Sequence, residues 1–197
     1  MSSGFRGHCP LPPPCELYHN PRPRFRRGSG IIRDMTVIGI DTSLRSTGYG
    51  VLDASGSRLS MLVCGNIRNP PQLPLTECLR AIHAKVAGLI DEFRPDVMAV
   101  ESVIYGKNAG TMLLLGEARG AVLTAAADAG LPVYEYEPRR MKRAVCGNAL
   151  AEKAQVQRMV KTLLSLPTLP QNDAADALGL AICHAHARGG LSAERPI

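Results

Sequence analysis

The sequence predicts an α/β fold built on a mixed five-stranded sheet with helices on both faces. Three observations carry that reading. Two apolar runs flank a short Ala-Ser-Gly-Ser stretch, as in an antiparallel hairpin; strand-like and helix-like segments alternate after residue 74; and the helix-like segments place apolar residues at helical spacing. Antiparallel strands followed by crossover helices require a sheet of mixed sense that is covered on both sides.

The elements follow in order. Residues 36–40 form a β-branched apolar run that ends at Asp41. Residues 49–52 and 58–67 read as the second and third strands, with residues 54–57 as the turn between them. Leu75, Leu79, Ile82, Val86, Leu89, Ile90 and Phe93 mark one face of an amphipathic helix that stops before Arg94-Pro95. A fourth strand, 97–100, ends at Glu101. A long helix over about 109–129 is stopped by Gly130, and a fifth strand follows at 133–136. Three more helical segments complete the chain: a basic one after Pro138, one carrying Val156, Met159, Val160, Leu163 and Leu164, and a last one from about Asp173.

Length and composition bound the organisation. With 197 residues and 45% hydrophobic content, the chain can bury one ordinary core, so one domain with an appendage is expected over residues 35–188. No apolar run approaches the ~20 residues that span a bilayer, and the start lacks a signal-peptide core. A soluble, intracellular, cytoplasmic protein is expected. Cys9, Cys15, Cys64, Cys78, Cys146 and Cys183 are scattered without a CxxC pair, which predicts free thiols in a reducing compartment.

The net charge of +6 is unevenly spread. Residues 1–34 hold six arginines against Glu16 and Asp34, so four of the six surplus charges lie there. That segment is rich in Pro, Arg and Gly, without periodicity, and predicts a disordered tail. A start placed upstream of Met35 would explain it, as would an Arg-rich arm touching phosphate backbone. His8, Cys9, Cys15 and His19 offer zinc ligands there, but at a spacing that matches no closed zinc site. Residues 189–197 are expected to be a flexible C-terminus. Within the globular part, positive charge clusters at Arg139, Arg140, Lys142 and Arg143, and from Lys153 to Lys161.

Four acids stand where a metal-dependent nuclease needs them. Asp41 and Glu101 each close an apolar strand, and Asp173 and Asp176 lie three residues apart on one face of a helix's first turn. Each has a structural alternative: Asp41 as a turn residue, Glu101 as a strand end in solvent, and Asn172 or Asp173 as a helix cap. Jointly they point to a site, because acids at the ends of neighbouring strands are adjacent. Carboxylates gathered that closely repel by about 4 kcal/mol per pair at an effective dielectric near 20, which bound cations offset. An all-oxygen set selects Mg²⁺ or Mn²⁺, and two ions about 4 Å apart would clamp a scissile phosphate. His184 and His186, far down the last helix, read as core or solvent-facing residues.

GIDTSLRSTGYGV, AVESVIYGKNAGTMLLLGEARGAV and LPQNDAADALGLAICHAH, in that order, resemble the RuvC family of Holliday junction resolvases over about residues 35–187. The resemblance implies a ribonuclease H-like fold and a homodimeric, Mg²⁺-dependent endonuclease that cuts four-way DNA junctions. It places the family's four acids on Asp41, Glu101, Asp173 and Asp176, as catalytic residues and metal ligands. Two Mg²⁺ per subunit are implied, with Mn²⁺ able to substitute, and a branch-migration helicase of the RuvA and RuvB type as partner. Asp41 would bridge the ions, Glu101 and Asp176 would complete separate shells, and Asp173 would ligate or orient water.

The same resemblance sets Lys142 and Lys153 against junction DNA, with surface solubility as the alternative. Lys107, Asn108 and Arg119 would approach phosphate, with bracing of the helix interface as the alternative for Arg119. The usual Pro-Gly after the first acid is Thr42-Ser43 here. Where members carry adjacent aromatics after the catalytic Glu, this chain has Val103-Ile104-Tyr105. Tyr105 can stack on a base and Ile104 can act as an apolar wedge. Two competing classes stay open: a nuclease of this fold acting on RNA or linear duplex, and a non-catalytic junction-binding module.

Overall fold

The computed structural model describes residues 34–103, 108–187 and 196–197. The expected tail, Asp34 excepted, and most of 189–197 lie outside the described residues. Five strands form one sheet: β1 (Met35–Asp41), β2 (Ser46–Ser55), β3 (Arg58–Arg68), β4 (Val97–Glu101) and β5 (Val133–Tyr136). Their order is β3-β2-β1-β4-β5, with β1–β2 and β2–β3 antiparallel and β1–β4 and β4–β5 parallel. The helices are α1 (Leu75–Phe93), α2 (Ala109–Asp128), α3 (Pro138–Cys146), α4 (Lys153–Leu163) and α5 (Asn172–Ala187). The mixed sheet expected from the sequence is present.

The alternation of the strands sorts the core onto two faces. Ile38, Ile40, Val51, Val63 and Val100 pack with Ile82, Val86 and Phe93 of α1 and with Val122 of α2. Val37, Leu52, Ala99 and Tyr136 point the other way, into a cluster with Leu178 and Ile182 of α5, Met141 and Val145 of α3, and Val156 and Val160 of α4. Helices therefore cover both faces. α1 ends where Arg94 turns left-handed at φ 46°, its N–H reaching the Ile90 carbonyl, just before Pro95.

β2 is longer than its apolar run suggested. It starts at Ser46, three residues before Tyr49, because the ladder with β3 continues through Thr47 and Gly48 to the Ser46–Arg68 pair. Thr47 is fully buried, and its hydroxyl donates to the Ser43 carbonyl at 2.5 Å and accepts from the Ser43 N–H at 3.3 Å. That exchange fixes the turn after Asp41 in which Thr42-Ser43 stand. Arg45 ties the same turn to the loop before α1, donating to the Pro70 carbonyl at 2.7 Å and the Leu73 carbonyl at 3.2 Å.

α5 lies against β1 and β2 at backbone contact distance. A Cβ on Gly39 would stand 2.0 Å from the Ala177 carbonyl oxygen, and one on Gly48 would stand 2.1 Å from that of Asp173. Only glycine fits at either place, so the separation of helix and sheet is set by main chain. Cys64, Cys78, Cys146 and Cys183 are free thiols, as expected. Among the described residues no helix is long and apolar enough to cross a membrane. At the chain's end, the Ile197 N–H donates to the Val133 carbonyl of β5 at 3.0 Å.

Candidate active site

Strand register builds one row across the end of the sheet. Asp41 on β1 faces Gly48 on β2, which faces Asn66 on β3. In the other direction the last β1–β4 pair is Ile40 with Val100, so Asp41 and Glu101 both follow it at the same end, and Glu101 faces Tyr136 on β5. The first turn of α5 sits on this row because Gly48 lets the Asp173 backbone come down onto β2. Three separated segments thus bring Asp41, Glu101, Asp173 and Asp176 together.

The acids share an electrostatic field. Burial pushes the Asp41 carboxyl up to about 7, reinforced by the negative charges of Glu101, Asp176 and Asp173 and opposed by Lys153. Burial also raises Glu101, with Asp176 adding to the rise and Lys153 and Lys142 opposing it. Asp176 is raised by burial and by Asp173, while Lys153 and Lys142 oppose. Asp41 feels the other three acids, and Asp176 acts on both Asp41 and Glu101. Among the described residues no three His, Cys, Asp or Glu side chains stand close enough to hold one ion between them as placed. Gripping a cation therefore requires side-chain rotation, which relief of like-charge repulsion would favour. The donor chemistry fits a hard divalent cation, with carboxylate oxygens throughout.

Asp173 differs from its three companions. Its Oδ2 accepts from the Ser46 hydroxyl at 2.5 Å and from Asn66 Nδ2 at 2.8 Å. Those side-chain partners come from β2 and β3 rather than from its own helix turn, where Gln171 supplies the carbonyl that accepts from the Ala175 N–H. Nothing in the sequence singled out Ser46 or Asn66. Their meeting with Asp173 depends on strand register, and an alternating polar position near a strand end was the sole trace of it.

The basic residues divide. Lys153 Nζ stands 3.7 Å from Asp176 Oδ2, a loose contact from a side chain that is 72% exposed. Lys142, on α3, is near enough to act on Glu101 and Asp176. Arg119 is buried on α2, donating to the Glu101 carbonyl at 2.8 Å and pairing with Glu135. That is the bracing geometry: the guanidinium ties α2 to the ends of β4 and β5. Asn108 caps α2, its Oδ1 accepting from the Thr111 N–H at 3.1 Å. Ile104, Tyr105 and Lys107 lie outside the described residues. His184 is a core residue, its Nδ1 2.7 Å from the Tyr136 hydroxyl.

Known proteins resemble this chain in sequence and fold. Residues 37–184 match the family described as "Crossover junction endodeoxyribonuclease RuvC". A protein of that name from Pelotomaculum thermopropionicum is 46% identical over 153 residues, covering 77% of this chain and 93% of its own. Another, from Aliivibrio salmonicida, is 50% identical over 158 residues, covering 80% and 90%. The solved structure of T. thermophilus RuvC in complex with Holliday junction substrate superposes with a TM-score of 0.76 at 36% identity, covering 83% of this chain and 99% of that one. With the fold shared and the match spanning every element that carries an acid, this chain belongs to the RuvC family of crossover junction endodeoxyribonucleases.

Proposed function

We propose that this chain resolves four-way DNA junctions in recombination and repair, with Asp41, Glu101, Asp173 and Asp176 as its metal-holding catalytic carboxylates. The observation that carries the reading is their convergence at one sheet end, where burial and the charge of neighbouring acids disfavour the ionised forms of Asp41, Glu101 and Asp176 unless a cation is present. Mg²⁺ is the proposed metal, two ions per subunit with Mn²⁺ able to substitute, supplying a Lewis acid that activates water and offsets charge on the leaving oxygen. Asp41, which feels the charge of all three other acids, would hold both ions. Glu101 and Asp176 flank it, and Asp173 holds its orientation through β2 and β3.

Lys142 and Lys153, at the rim of the acids, would contact junction phosphate and fix the register of the cut without reading sequence. Lys107 and Tyr105 are proposed for the same DNA surface. Arg119 would serve it indirectly, by bracing the end of β4. A homodimer matches the two symmetry-related cuts of a four-way junction, and Leu113 and Leu114, exposed on α2, offer apolar surface for pairing. A branch-migration helicase of the RuvA and RuvB type would supply the junction in the cytoplasm. Residues 35–188 are the proposed nuclease domain, with 1–34 and 189–197 as appendages.

A synthetic four-way junction with Mg²⁺ tests this. Wild type and a chain beginning at Met35 should cut the junction and spare linear duplex. Asp41→Asn should lose about 10³-fold in rate, roughly 4 kcal/mol of barrier. Equal cutting of linear duplex, or undiminished cutting by Asp41→Asn, contradicts the reading.

A further inference from the structure

We propose that Ser46 and Asn66 are positioning residues for Asp173, holding its carboxylate by one oxygen so that the other is presented to the divalent cation. This rests on the reading of Asp173 as a metal-holding acid. Asn66 Nδ2 donates to Asp173 Oδ2 at 2.8 Å and to Ser46 Oγ at 3.1 Å, and the Ser46 hydroxyl donates to the same Oδ2 at 2.5 Å. The three groups close a triangle. With an amide hydrogen on the Ser46 oxygen, the hydroxyl proton is directed at the carboxylate.

The sheet creates the space for this triangle. Gly48 stands between Ser46, two residues back on the same strand face, and Asn66, its partner on β3. Lacking a side chain, Gly48 leaves the first turn of α5 within reach of both donors. Asn66 meets a cost to donate there: its Oδ1 is buried with no hydrogen-bond partner among the described residues. An amide that leaves its oxygen unpaired in order to place its nitrogen on a carboxylate is oriented by that carboxylate. Both donors sit on Oδ2, so Oδ1 carries neither and is the oxygen left for a cation. A carboxylate fixed in this way also loses less rotational freedom when the ion binds.

Mn²⁺ binding to the full-length, DNA-free protein, read by electron paramagnetic resonance, tests this alongside the Mg²⁺ dependence of junction cutting. Ser46→Ala and Asn66→Leu are expected to weaken Mn²⁺ binding by about 10-fold and to raise the half-saturating Mg²⁺ by a like factor. Saturating Mg²⁺ should then restore most of kcat. Ser46→Thr, which keeps the hydroxyl, should retain wild-type Mn²⁺ affinity. If Asp173→Asn weakens Mn²⁺ binding while Ser46→Ala and Asn66→Leu do not, the positioning role is overturned and Asp173 stands as a ligand. If Asp173→Asn itself binds Mn²⁺ like wild type, the underlying reading of Asp173 fails. Ser46→Ala removes a single oxygen and decides the matter alone should Asn66→Leu not fold.

Discussion

The two faces of the sheet are packed by different means. On the α1 and α2 face, branched side chains such as Ile38, Ile40 and Val100 meet Ile82, Val86 and Phe93, so the layer spacing is set by side-chain bulk. On the α5 face, Gly39 and Gly48 bring helix main chain onto strand main chain. Side-chain packing relaxes by small repacking when one residue changes, whereas main-chain contact has nothing to give. Both faces bury apolar core, and the second also fixes where the acids stand.

Paired substitutions should separate these roles. Gly48→Ala puts a methyl 2.1 Å from the Asp173 carbonyl oxygen and must move the start of α5. A shift of about 1 Å there should lower kcat on a four-way junction by about 10²-fold, as measured under saturating substrate. Ile82→Ala, on the other face, empties a fully buried site and should cost about 3 kcal/mol in denaturant unfolding, with kcat unchanged while the protein remains folded. Equal activity losses from both would show that the two faces are not distinct.

The charge on the α5 face gives a pH signature. Asp41 has its carboxyl raised from 3.8 to about 7, so between those values the folded chain retains a proton that the unfolded chain has released. Stability of the metal-free protein should therefore be complete below about pH 4 as far as this group is concerned, and fall as pH rises toward 7. The loss should be about 2 kcal/mol after discounting for solvent screening. Asp41→Asn should flatten this slope in urea unfolding followed at several pH values. A slope unchanged by the substitution would place the titrating group elsewhere.

The smallest effect is expected at the rim. Lys153 is mostly exposed and only loosely paired with Asp176. Lys153→Ala should weaken junction binding a few-fold and reduce the slope of log affinity against log salt by about 1, with little change in kcat. A large kcat loss would move Lys153 from the DNA surface into the chemistry.

The same contrast explains what could be read from the sequence. Asp41 and Glu101 were legible because each ends a β-branched or apolar run, and a strand end has a defined neighbour. The pair at Asp173 and Asp176 was legible through helical spacing. Ser46 and Asn66 were not, because their meeting with Asp173 depends on the β2–β3 register and on α5 crossing at one place. Gly39 and Gly48 were hidden for a similar reason: a glycine within a strand does not reveal what presses against it. Arg119 could be read as a phosphate contact or as a brace. Its burial beside Glu135 and the Glu101 carbonyl supports bracing, which depends on tertiary placement.

Four carboxylates, held on main-chain contacts, would form a cation site. Thermal unfolding of the DNA-free protein at pH 8, with and without Mg²⁺, tests it without relying on cleavage. An ion that binds only the folded chain must raise its melting temperature by mass action. Mg²⁺ should stabilise wild type and leave Asp41→Asn near its metal-free melting temperature. No rise in wild type, or an equal rise in Asp41→Asn, would contradict a cation site at these acids.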